Sequence, residues 1–460
     1  MASNPLNIDT TKGSLFGKIL MFAFPLAVIF LLERFCDRAI LWVLCPYCVT
    51  PLTFGLVSVT SASFDLLLPP VIGFGCGALV MAAQHRGAGD DDGVSRTVHT
   101  SLVLAFVLGL LVAVLPLLLL HNVSGESVQV IVCYRLLLPL ALLLWTIVMV
   151  GIMLMYGLGN TLCPLFILLI SGVVRVGLSF VFVRFSRMDF VGVALANLIS
   201  QITAAALLLL ILTLSSGPER IKWSGIRIHA RELKSIAAIG IPVMITSTAL
   251  VFTNELVDCL CRPESLTELG VVCAGDFIVK RVRGLMSALF VLPMYCTAMV
   301  FSGQNSGAGK YDRVLTSTLI CALLATVTLA LSGAAGMIYD ERLIGFFFPH
   351  DYTPHPEAIV RVKLLLYLVL PVFSLCGLMQ VFTGALIGLG KWRAAVASCV
   401  TPLGSCIFGI IWGVAVFPQF RSLQVLMIYE PISWGIVALV NGAIFFIVVG
   451  RRRKCNAPQR

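Results

Sequence analysis

The chain has few charged residues and many apolar ones. Only 12% of its 460 residues are Asp, Glu, Lys or Arg, whereas 59% are hydrophobic, and the mean hydropathy is +1.01. A soluble domain could not bury so much apolar surface, so this composition excludes one and indicates that lipid is the solvent. Because lipid offers the backbone no hydrogen bonds, only helices or a closed barrel can cross it. The apolar runs reach about 20 residues without alternating, which predicts helices.

The sequence also lacks the motifs of common enzymes. Its two Gly-Ala-Gly sequences neither follow a strand pattern nor precede the Lys-Ser or Lys-Thr of a phosphate-binding loop. The six His residues are scattered, and no catalytic triad or metal-ligand spacing is present. We therefore predict that the chain is not an enzyme, has no catalytic residue, binds no metal or cofactor, and does not itself use ATP.

The net charge of +10 is distributed as in a membrane protein rather than in a nucleic-acid-binding one. Lys and Arg concentrate in every second loop and in the C-terminal sequence Arg451-Arg452-Arg453-Lys454. Positively charged loops stay on the cytoplasmic side of a membrane. The pattern predicts a multi-pass protein of the cell (plasma or inner) membrane that contacts lipid, has both termini in the cytoplasm and has no nucleic-acid partner.

The 15 cysteines are scattered through apolar segments, as small buried hydrophobic residues are. Cys45 and Cys48 form a C-x-x-C sequence, which in a thioredoxin-like unit would be a redox pair. No strand–helix pattern surrounds it. Ordinary loop cysteines, a disulfide and a redox pair remain open as interpretations.

One short sequence occurs twice, 220 residues apart. Residues 84–89 read Gln-His-Arg-Gly-Ala-Gly, and residues 304–309 read Gln-Asn-Ser-Gly-Ala-Gly. Two further echoes keep the same order: Pro25 and Pro242 each stand twelve positions before a polar residue (Asp37, Asn254), and Gly157-Leu158-Gly159 matches Gly388-Leu389-Gly390. These echoes indicate a duplicated unit. Transporters built from such repeats bind substrate between the two copies.

The hydropathy pattern predicts an all-α polytopic membrane protein with twelve transmembrane helices. The predicted helices are 15–44, 53–83, 98–120, 132–156, 161–183, 192–214, 235–259, 269–301, 314–338, 361–387, 394–416 and 424–450. A basic segment with Gly217-Pro218 separates the halves. We predict an N-terminal lobe (1–214), a cytoplasmic linker (215–234) and a C-terminal lobe (235–460) with a basic tail. With six helices each, the lobes should be related by a pseudo-two-fold axis along the membrane normal.

Short motifs along the chain match a known transporter family in order and spacing. They are Gly13-Ser14-Leu15-Phe16, Ala23-Phe24-Pro25, Ser95–Ser101, Gly192–Ala196, Gly303–Tyr311 and Pro431-Ile432-Ser433-Trp434. Together they resemble the MATE (multidrug and toxic compound extrusion) family of the MOP flippase superfamily, from about Gly13 to Arg452. The resemblance implies two six-helix bundles facing a central cavity, alternating access, and export driven by inward flow of H⁺ or Na⁺.

Ionisable residues in the first predicted helix are candidates for ion coupling, because a bilayer penalises buried charge. Glu33 and Asp37 are four residues apart on one helix face, and Arg34 and Arg38 lie on the neighbouring face. Two nearby carboxylates in low dielectric resist double ionisation, so one would hold a proton, whereas the arginines favour the charged forms. A salt-bridge cluster near the outer membrane surface is the alternative.

The resemblance breaks down at two positions. The family's membrane-embedded acidic residue of this helix would fall at Ile40, and Asp37 falls where the family usually has Asn. In the predicted fifth helix, Arg175 stands where the family tends to have Asn. Arg175 would either pair with Asp37 or disable cation binding there, and an unpaired buried Arg is expensive.

The second half carries a further set of candidates. Asn254 is the repeat equivalent of Asp37, and Glu255 is an alternative acidic coupling residue in the same predicted helix. Asp258 follows one turn later, and Asp276 can pair with Lys280 in the next helix. Our ion-coupling candidates are thus Asp37, Glu33 and Glu255; our cavity or substrate candidates are Arg34, Arg175, Asn254, Asp258 and Asp276.

The sequence predicts a secondary active efflux antiporter for small amphipathic organic compounds and organic cations, acting as a monomer and driven by H⁺ or Na⁺. Two alternatives stay open. A lipid-linked saccharide flippase of the same superfamily would need a basic cavity, and Arg34 and Arg175 are residues that could line one. A divergent membrane protein that has lost ion coupling is favoured by the apolar residue at Ile40.

Overall fold

A computed structural model describes residues 7–44, 51–119, 136–260, 279–347, 356–390, 392–412 and 423–456. These residues form helices joined by turns. The α-helices are α1 Leu15–Leu44, α2 Pro51–Ala88, α3 Asp91–Leu119, α4 Leu138–Gly157, α5 Leu162–Arg184, α6 Asp189–Leu214, α7 Ala230–Leu260, α8 Leu292–Gly307, α9 Tyr311–Ile338, α10 Asp340–Phe347, α11 Pro356–Val369, α12 Phe373–Gly388, α13 Trp392–Ile411 and α14 Leu423–Asn456.

The described helices agree with the predicted membrane segments. The described residues contain eleven spans that are long and apolar enough to cross a bilayer, two of which (Val279–Gly307 and Val362–Gly388) run through an irregular turn, and a shorter apolar helix covers Val396–Gly409. Several helices continue past the apolar run. For example, α3 begins at Asp91 rather than at the predicted 98, because the Asp90 carboxylate accepts a hydrogen bond from the Gly93 N–H at 2.8 Å and so caps the helix.

Irregular turns interrupt two of the long membrane segments. A π-helical turn at Ser287–Val291 leads into α8. A 3₁₀ turn at Leu370–Val372 separates α11 from α12, where Pro371 cannot donate an N–H to the preceding turn. The sequence predicts a surface loop over 339–359, but Asp340–Phe347 form α10, whose first residue accepts a hydrogen bond from the Tyr367 hydroxyl at 3.1 Å.

By their internal contacts, the residues form two compact units. Unit 1 comprises Met1–Gly13, Phe24–Ser247 and Gly303–Gly309; unit 2 comprises Ser14–Ala23, Thr248–Ser302 and Lys310–Arg460. The units interleave along the chain, so that α1, α7 and α8 each contribute to both. The lobe boundaries at 214 and 235 stay a prediction about the duplicated halves.

Unit 1 has an apolar core between α2, α3 and α4. Its buried side chains are Leu67, Val71 and Ala78 from α2, Ala105, Leu108 and Val112 from α3, and Leu138, Leu142 and Val150 from α4. Small residues bring these helices close: a Cβ atom at Gly109 would meet the Leu143 backbone oxygen at 3.0 Å. Close backbone approach at small residues is how membrane helices gain packing energy without a hydrophobic driving force between them.

Unit 2 combines an apolar core with a buried amide. The core includes Leu329 of α9, Leu366 of α11 and Phe373 of α12. Asn441 of α14 is fully buried, and its Nδ2 donates to Thr383 Oγ1 of α12 at 3.0 Å and to the Ser398 carbonyl of α13 at 3.2 Å. This amide ties three helices together, as interhelical hydrogen bonds do in membranes.

Candidate functional site

Asp37 of α1 and Arg175 of α5 form an ion pair in unit 1. Arg175 Nη1 donates to Asp37 Oδ1 at 3.2 Å, and the two side chains are 31% and 43% exposed. Gly172 lies one turn before Arg175, where a Cβ atom would meet Cys36 Sγ at 3.0 Å and Leu32 Cδ2 at 3.3 Å. The missing side chain lets α1 and α5 approach, and the guanidinium then reaches the carboxylate. This is the pairing that the sequence allowed for Arg175.

A second acidic residue lies near the Asp37–Arg175 pair, and one N–H group of Arg175 has no described hydrogen-bond partner. Glu33 lies one turn before Asp37, is partly buried, and interacts electrostatically with both Asp37 and Arg175. Arg34 is exposed. Arg175 Nε is buried and has no hydrogen-bond partner among the described residues. Buried donors are nearly always satisfied, so this N–H is available to a water or a ligand.

Ile40, the position at which the resemblance implies an acid, is a core residue. Its side chain is 6% exposed and packs with Val183 of α5, against Val43, Val176 and Val193. A carboxylate in this apolar cluster would lose its hydration without gaining a partner. In this part of α1 the carboxylate is therefore carried by Asp37, one turn away, and not by residue 40.

The candidates of the second half fall largely outside the described side chains. The backbone of α7 runs through Asn254, Glu255 and Asp258, but their side chains lie outside the described residues, as does Asp276 entirely. Cys45 and Cys48 also lie outside. Their roles stay predictions.

Unit 2 contains a partly buried ion pair that the sequence analysis does not predict. Arg283 Nη1 lies 2.7 Å from Glu430 Oε2, and Arg283 Nη2 donates to Glu430 Oε1 at 3.1 Å. The side chains are 23% and 14% exposed. The Trp434 ring stacks on the guanidinium, 5.4 Å from ring centre to Cζ, and packs edge-on against Phe373. Glu430 is an acid inside a predicted membrane helix, and the rule that singled out Asp37 would have found it.

The two Gly-Ala-Gly sequences pack against each other reciprocally within unit 1. Gly87 at the end of α2 lies against the backbone of Gln304, and Gly307 at the end of α8 lies against the backbone of Gln84. A Cβ atom at either glycine would collide with the opposing carbonyl oxygen. Both sequences end in a tight turn, as predicted, at glycines with φ of +71°, Gly89 and Gly309.

The N-terminal segment, residues 7–13, is hydrogen-bonded to the second of these sequences and to the turn after α4. Thr10 is fully buried, and its N–H and hydroxyl donate to Gln304 Oε1 at 3.2 and 2.9 Å. Gln304 Nε2 in turn donates to the Gly157 carbonyl at 3.0 Å, and the Ile8 N–H donates to the Gly159 carbonyl at 3.0 Å. The sequence suggested only a polar tail here, because single hydrogen-bonding residues carry no periodic signal.

A network of charged groups joins α2, α3 and α7 beside these turns. His85 Nδ1 lies 2.9 Å from Asp90 Oδ2, and His85 Nε2 lies 3.2 Å from Glu232 Oε2. Arg96 Nε donates to Glu232 Oε1 at 3.4 Å. The backbone N–H of Gly93, together with His85 and Arg96, holds the pKa of Asp90 below its usual value.

Residues 25–181, which include both members of the Asp37–Arg175 pair, match the MatE family model. Over this part of its length the chain is similar to the MATE family. The "Probable multidrug resistance protein YoeA" of Bacillus subtilis (strain 168) is 21% identical over 394 residues, which span 80% of this chain and 79% of that protein. The members of the family are transporters, which agrees with the predicted class of function.

Solved structures of the family have the same fold. A multidrug resistance MATE family transporter of the MOP superfamily, in an outward-facing conformation, matches with a TM-score of 0.84 at 16% identity, over 98% of this chain and 100% of that one. A MOP superfamily transporter from Pyrococcus furiosus Vc1 (DSM3638) matches with a TM-score of 0.86 at 14% identity, over 98% of this chain and 100% of that one. The reverse polarity of its binding pocket suggests a different function for that protein. The predicted resemblance and the all-helical fold class, with twelve helices in two lobes, are confirmed.

Proposed function

We propose that this protein is a MATE-type secondary active efflux antiporter of small, amphipathic organic compounds, driven by an inward flow of H⁺ or Na⁺. The observation that carries the proposal is the Asp37–Arg175 contact of 3.2 Å between two membrane-spanning helices. Charged groups inside membrane-spanning segments are expensive, and their usual roles are in ion and substrate pathways. A carboxylate that is paired with a single arginine has two alternative states. It is either bound to the arginine or bound to an arriving cation that replaces the arginine.

The pair supplies a physical basis for coupling. When Asp37 accepts a proton or binds Na⁺, its attraction for Arg175 falls, and the contact between α1 and α5 weakens. A ligand shifts a conformational equilibrium only as far as its affinities for the two states differ. In this proposal the cation binds more tightly to the conformation in which Asp37 is separated from Arg175. Glu33 is the second acidic residue that receives the cation or passes it on. Glu255 in α7 keeps its proposed role as an alternative.

The orientation is part of the proposal. The basic loops and the positive-inside rule put the Gly-Ala-Gly turns and both termini on the cytoplasmic side of a cell membrane. On that side α2 approaches α7 at Gly73 and Gly77, where a Cβ atom would collide with the carbonyl oxygens of Gly240 and Ile236. Such close packing supports a conformation in which the cytoplasmic end of unit 1 is shut, and transport then requires it to open.

Gradient-driven transport in proteoliposomes tests the function. Ethidium, a flat amphipathic cation, is supplied to vesicles holding the purified protein with a pH gradient, a Na⁺ gradient or neither. We expect movement of ethidium against its gradient in one of the first two conditions and not in the third. Equal rates in all three would contradict antiport. The protein is expected to act as a monomer, which its mass in detergent, measured by light scattering, will test.

A lipid-linked saccharide flippase is the second candidate. The buried Arg175 Nε without a described partner favours it, because a phosphate or sugar oxygen could accept from that N–H. Translocation of a fluorescent lipid diphosphate in the same vesicles, with no dependence on either ion gradient, would favour the flippase over the antiporter. The absence of both activities would favour the third alternative, a protein that has lost coupling, as the apolar environment of Ile40 suggests.

A further inference from the structure

A small cavity lies in unit 1 between the N-terminal segment, the turn after α4, and the residues that follow α6. Its volume is about 10 Å³, and its polar lining comes from Asn7, Asn160, Ser215 and Glu219, with Met155 and Leu212 among its apolar wall. That volume is close to the ~10 Å³ that one water molecule or a small ion occupies. The cavity is separate from the Asp37–Arg175 pair, since none of its lining residues belongs to α1 or α5.

Glu219 lines this cavity with a carboxylate that is only half satisfied. The residue is 5% exposed. Its Oε1 accepts from the Ser215 hydroxyl at 2.7 Å, but its Oε2 is buried and has no hydrogen-bond partner among the described residues. Gly217 covers the carboxylate, because a Cβ atom there would collide with Oε2.

A buried carboxylate needs a compensating charge or several donors. Within the described chain, no Lys or Arg forms an ion pair with Glu219, and one hydroxyl is its single side-chain donor. Among the described residues, no charged side chain within ion-pair distance balances this carboxylate. A cation in the adjacent cavity would balance it.

The neighbouring side chains that line the cavity supply further oxygen atoms, held in place by hydrogen bonds. Asn160 Nδ2 donates to Asn7 Oδ1 at 3.1 Å, and Asn160 Oδ1 accepts from the Cys163 N–H at 3.0 Å, so both amide oxygens have fixed directions. The Ser215 hydroxyl accepts from the Gly217 N–H at 3.2 Å and keeps one lone pair. Oxygen ligands from a carboxylate, a hydroxyl and an amide suit hard cations. A single carboxylate and a space for one ion favour a monovalent cation over Ca²⁺, which takes about 6–8 oxygen ligands.

We propose that a monovalent cation, Na⁺, binds in this cavity, with Glu219 as its charged ligand and Ser215 and Asn7 as neutral oxygen ligands. The ion joins the N-terminal segment to the residues after α6 and stabilises the folded chain. The site does not depend on the transport function proposed above. It holds whether the transporter is driven by H⁺, by Na⁺ or by neither.

Thermal unfolding of the purified full-length protein tests the site. The Tm is measured at constant pH and ionic strength in NaCl, KCl or N-methyl-D-glucamine chloride, with the Na⁺ concentration varied. Because a ligand that binds only the folded state stabilises it by mass action, we expect a saturable rise in Tm with Na⁺, on the order of a few degrees. Glu219→Gln retains an oxygen for the Ser215 hydroxyl and should remove the part of the Na⁺ dependence that arises at this cavity, which is all of it when Asp37 is replaced by Asn in the same protein.

Two further variants separate this site from the membrane pair and protect the test against misfolding. Asp37→Asn should keep the part of the Na⁺ dependence of the Tm that Glu219→Gln removes. Ser215→Ala should keep the maximal rise but need several-fold more Na⁺ to reach half of it. Equal Tm values in the three salts, as a trapped water would produce, overturn the proposal. A Na⁺ effect that survives Glu219→Gln and disappears in Asp37→Asn overturns it as well, because the ion would then bind at the membrane pair.

Discussion

Gly87 lies so close to the Gln304 carbonyl that no Cβ atom fits between them, and Gly307 repeats the contact against Gln84. The duplicated sequence therefore packs against its own copy. Each glycine allows the backbone of the other copy to approach, which explains why both copies have glycine at this position.

Replacing Gly87 by alanine should destabilise the protein. The added methyl group would meet backbone rather than a movable side chain, so α2 and α8 must shift, at a cost of about 1–3 kcal/mol. Gly177→Ala is the matched control, because a Cβ atom at that helical position meets nothing within 4 Å and alanine is the better helix former. Thermal unfolding in detergent should give a lower Tm for Gly87→Ala and an unchanged or higher Tm for Gly177→Ala. Equal effects of the two substitutions would contradict the close contact.

Removing the Thr10 hydroxyl should loosen the N-terminal segment. Thr10→Val keeps the shape of the side chain but leaves Gln304 Oε1 with only the backbone N–H of residue 10. The net loss for such a buried hydrogen bond is about 1 kcal/mol. Limited proteolysis should cut the N-terminal segment faster in this variant than in wild type. Thr316→Val serves as control, because Thr316 is exposed and its hydroxyl donates to the Asp312 carbonyl of its own helix. Similar cleavage rates in the two variants would show that the Thr10 hydroxyl does not hold the N-terminal segment in place.

The Asp90 network predicts a dependence of stability on acid pH. Because the folded state holds the pKa of Asp90 below its usual value, the stabilisation is present above the unfolded-state pKa of about 3.9 and is lost as the pH falls through the lower, folded-state value. Wild type should therefore lose Tm more steeply below about pH 4 than Asp90→Asn does. Asp92→Asn, at an exposed residue in the same turn, should follow wild type. If the curves of Tm against pH are parallel for wild type and Asp90→Asn, the ionised Asp90 carboxylate does not contribute to stability.

Breaking the Arg283–Glu430 pair should cost more than replacing it entirely. Glu430→Gln leaves a partly buried guanidinium without its counter-charge, which we expect to destabilise the protein by about 2 kcal/mol. The double variant Glu430→Gln with Arg283→Met removes the uncompensated charge and should recover part of the loss. Tm values of wild type, both single variants and the double variant complete the cycle. Additive losses would mean that the two side chains do not interact.

The membrane helices could be predicted from the sequence because lipid imposes one simple demand. A span such as Leu15–Leu44 must be long, apolar and helical, so its hydropathy alone locates it. The start of α3 could not be placed in this way, since it depends on a capping bond from Asp90 and not on hydropathy. The turns at Gly89 and Gly309 were visible because glycine reports a backbone conformation directly.

The site was predictable only in part. The cost of an isolated buried arginine suggested a partner for Arg175, and Asp37 was the acid within reach. Glu430 was overlooked although the same argument applies to it. Thr10 and Glu219 could not be found, because their burial comes from contacts with residues far away in the sequence, such as Gln304 and Asn7. Single polar residues in a tail or a basic linker have the same appearance whether they are solvated or buried.

The central claim is that the Asp37–Arg175 pair couples ion flow to transport, and ion-driven ethidium transport by Asp37→Asn tests it most directly. Wild type, Asp37→Asn and the exposed control Asp92→Asn are reconstituted at equal density, and uptake is started with the gradient that drives wild type. We expect Asp37→Asn to lose at least about tenfold in gradient-driven rate, equivalent to about 1.4 kcal/mol, while Asp92→Asn matches wild type. Full gradient-driven transport by Asp37→Asn would contradict a coupling role of the Asp37–Arg175 pair.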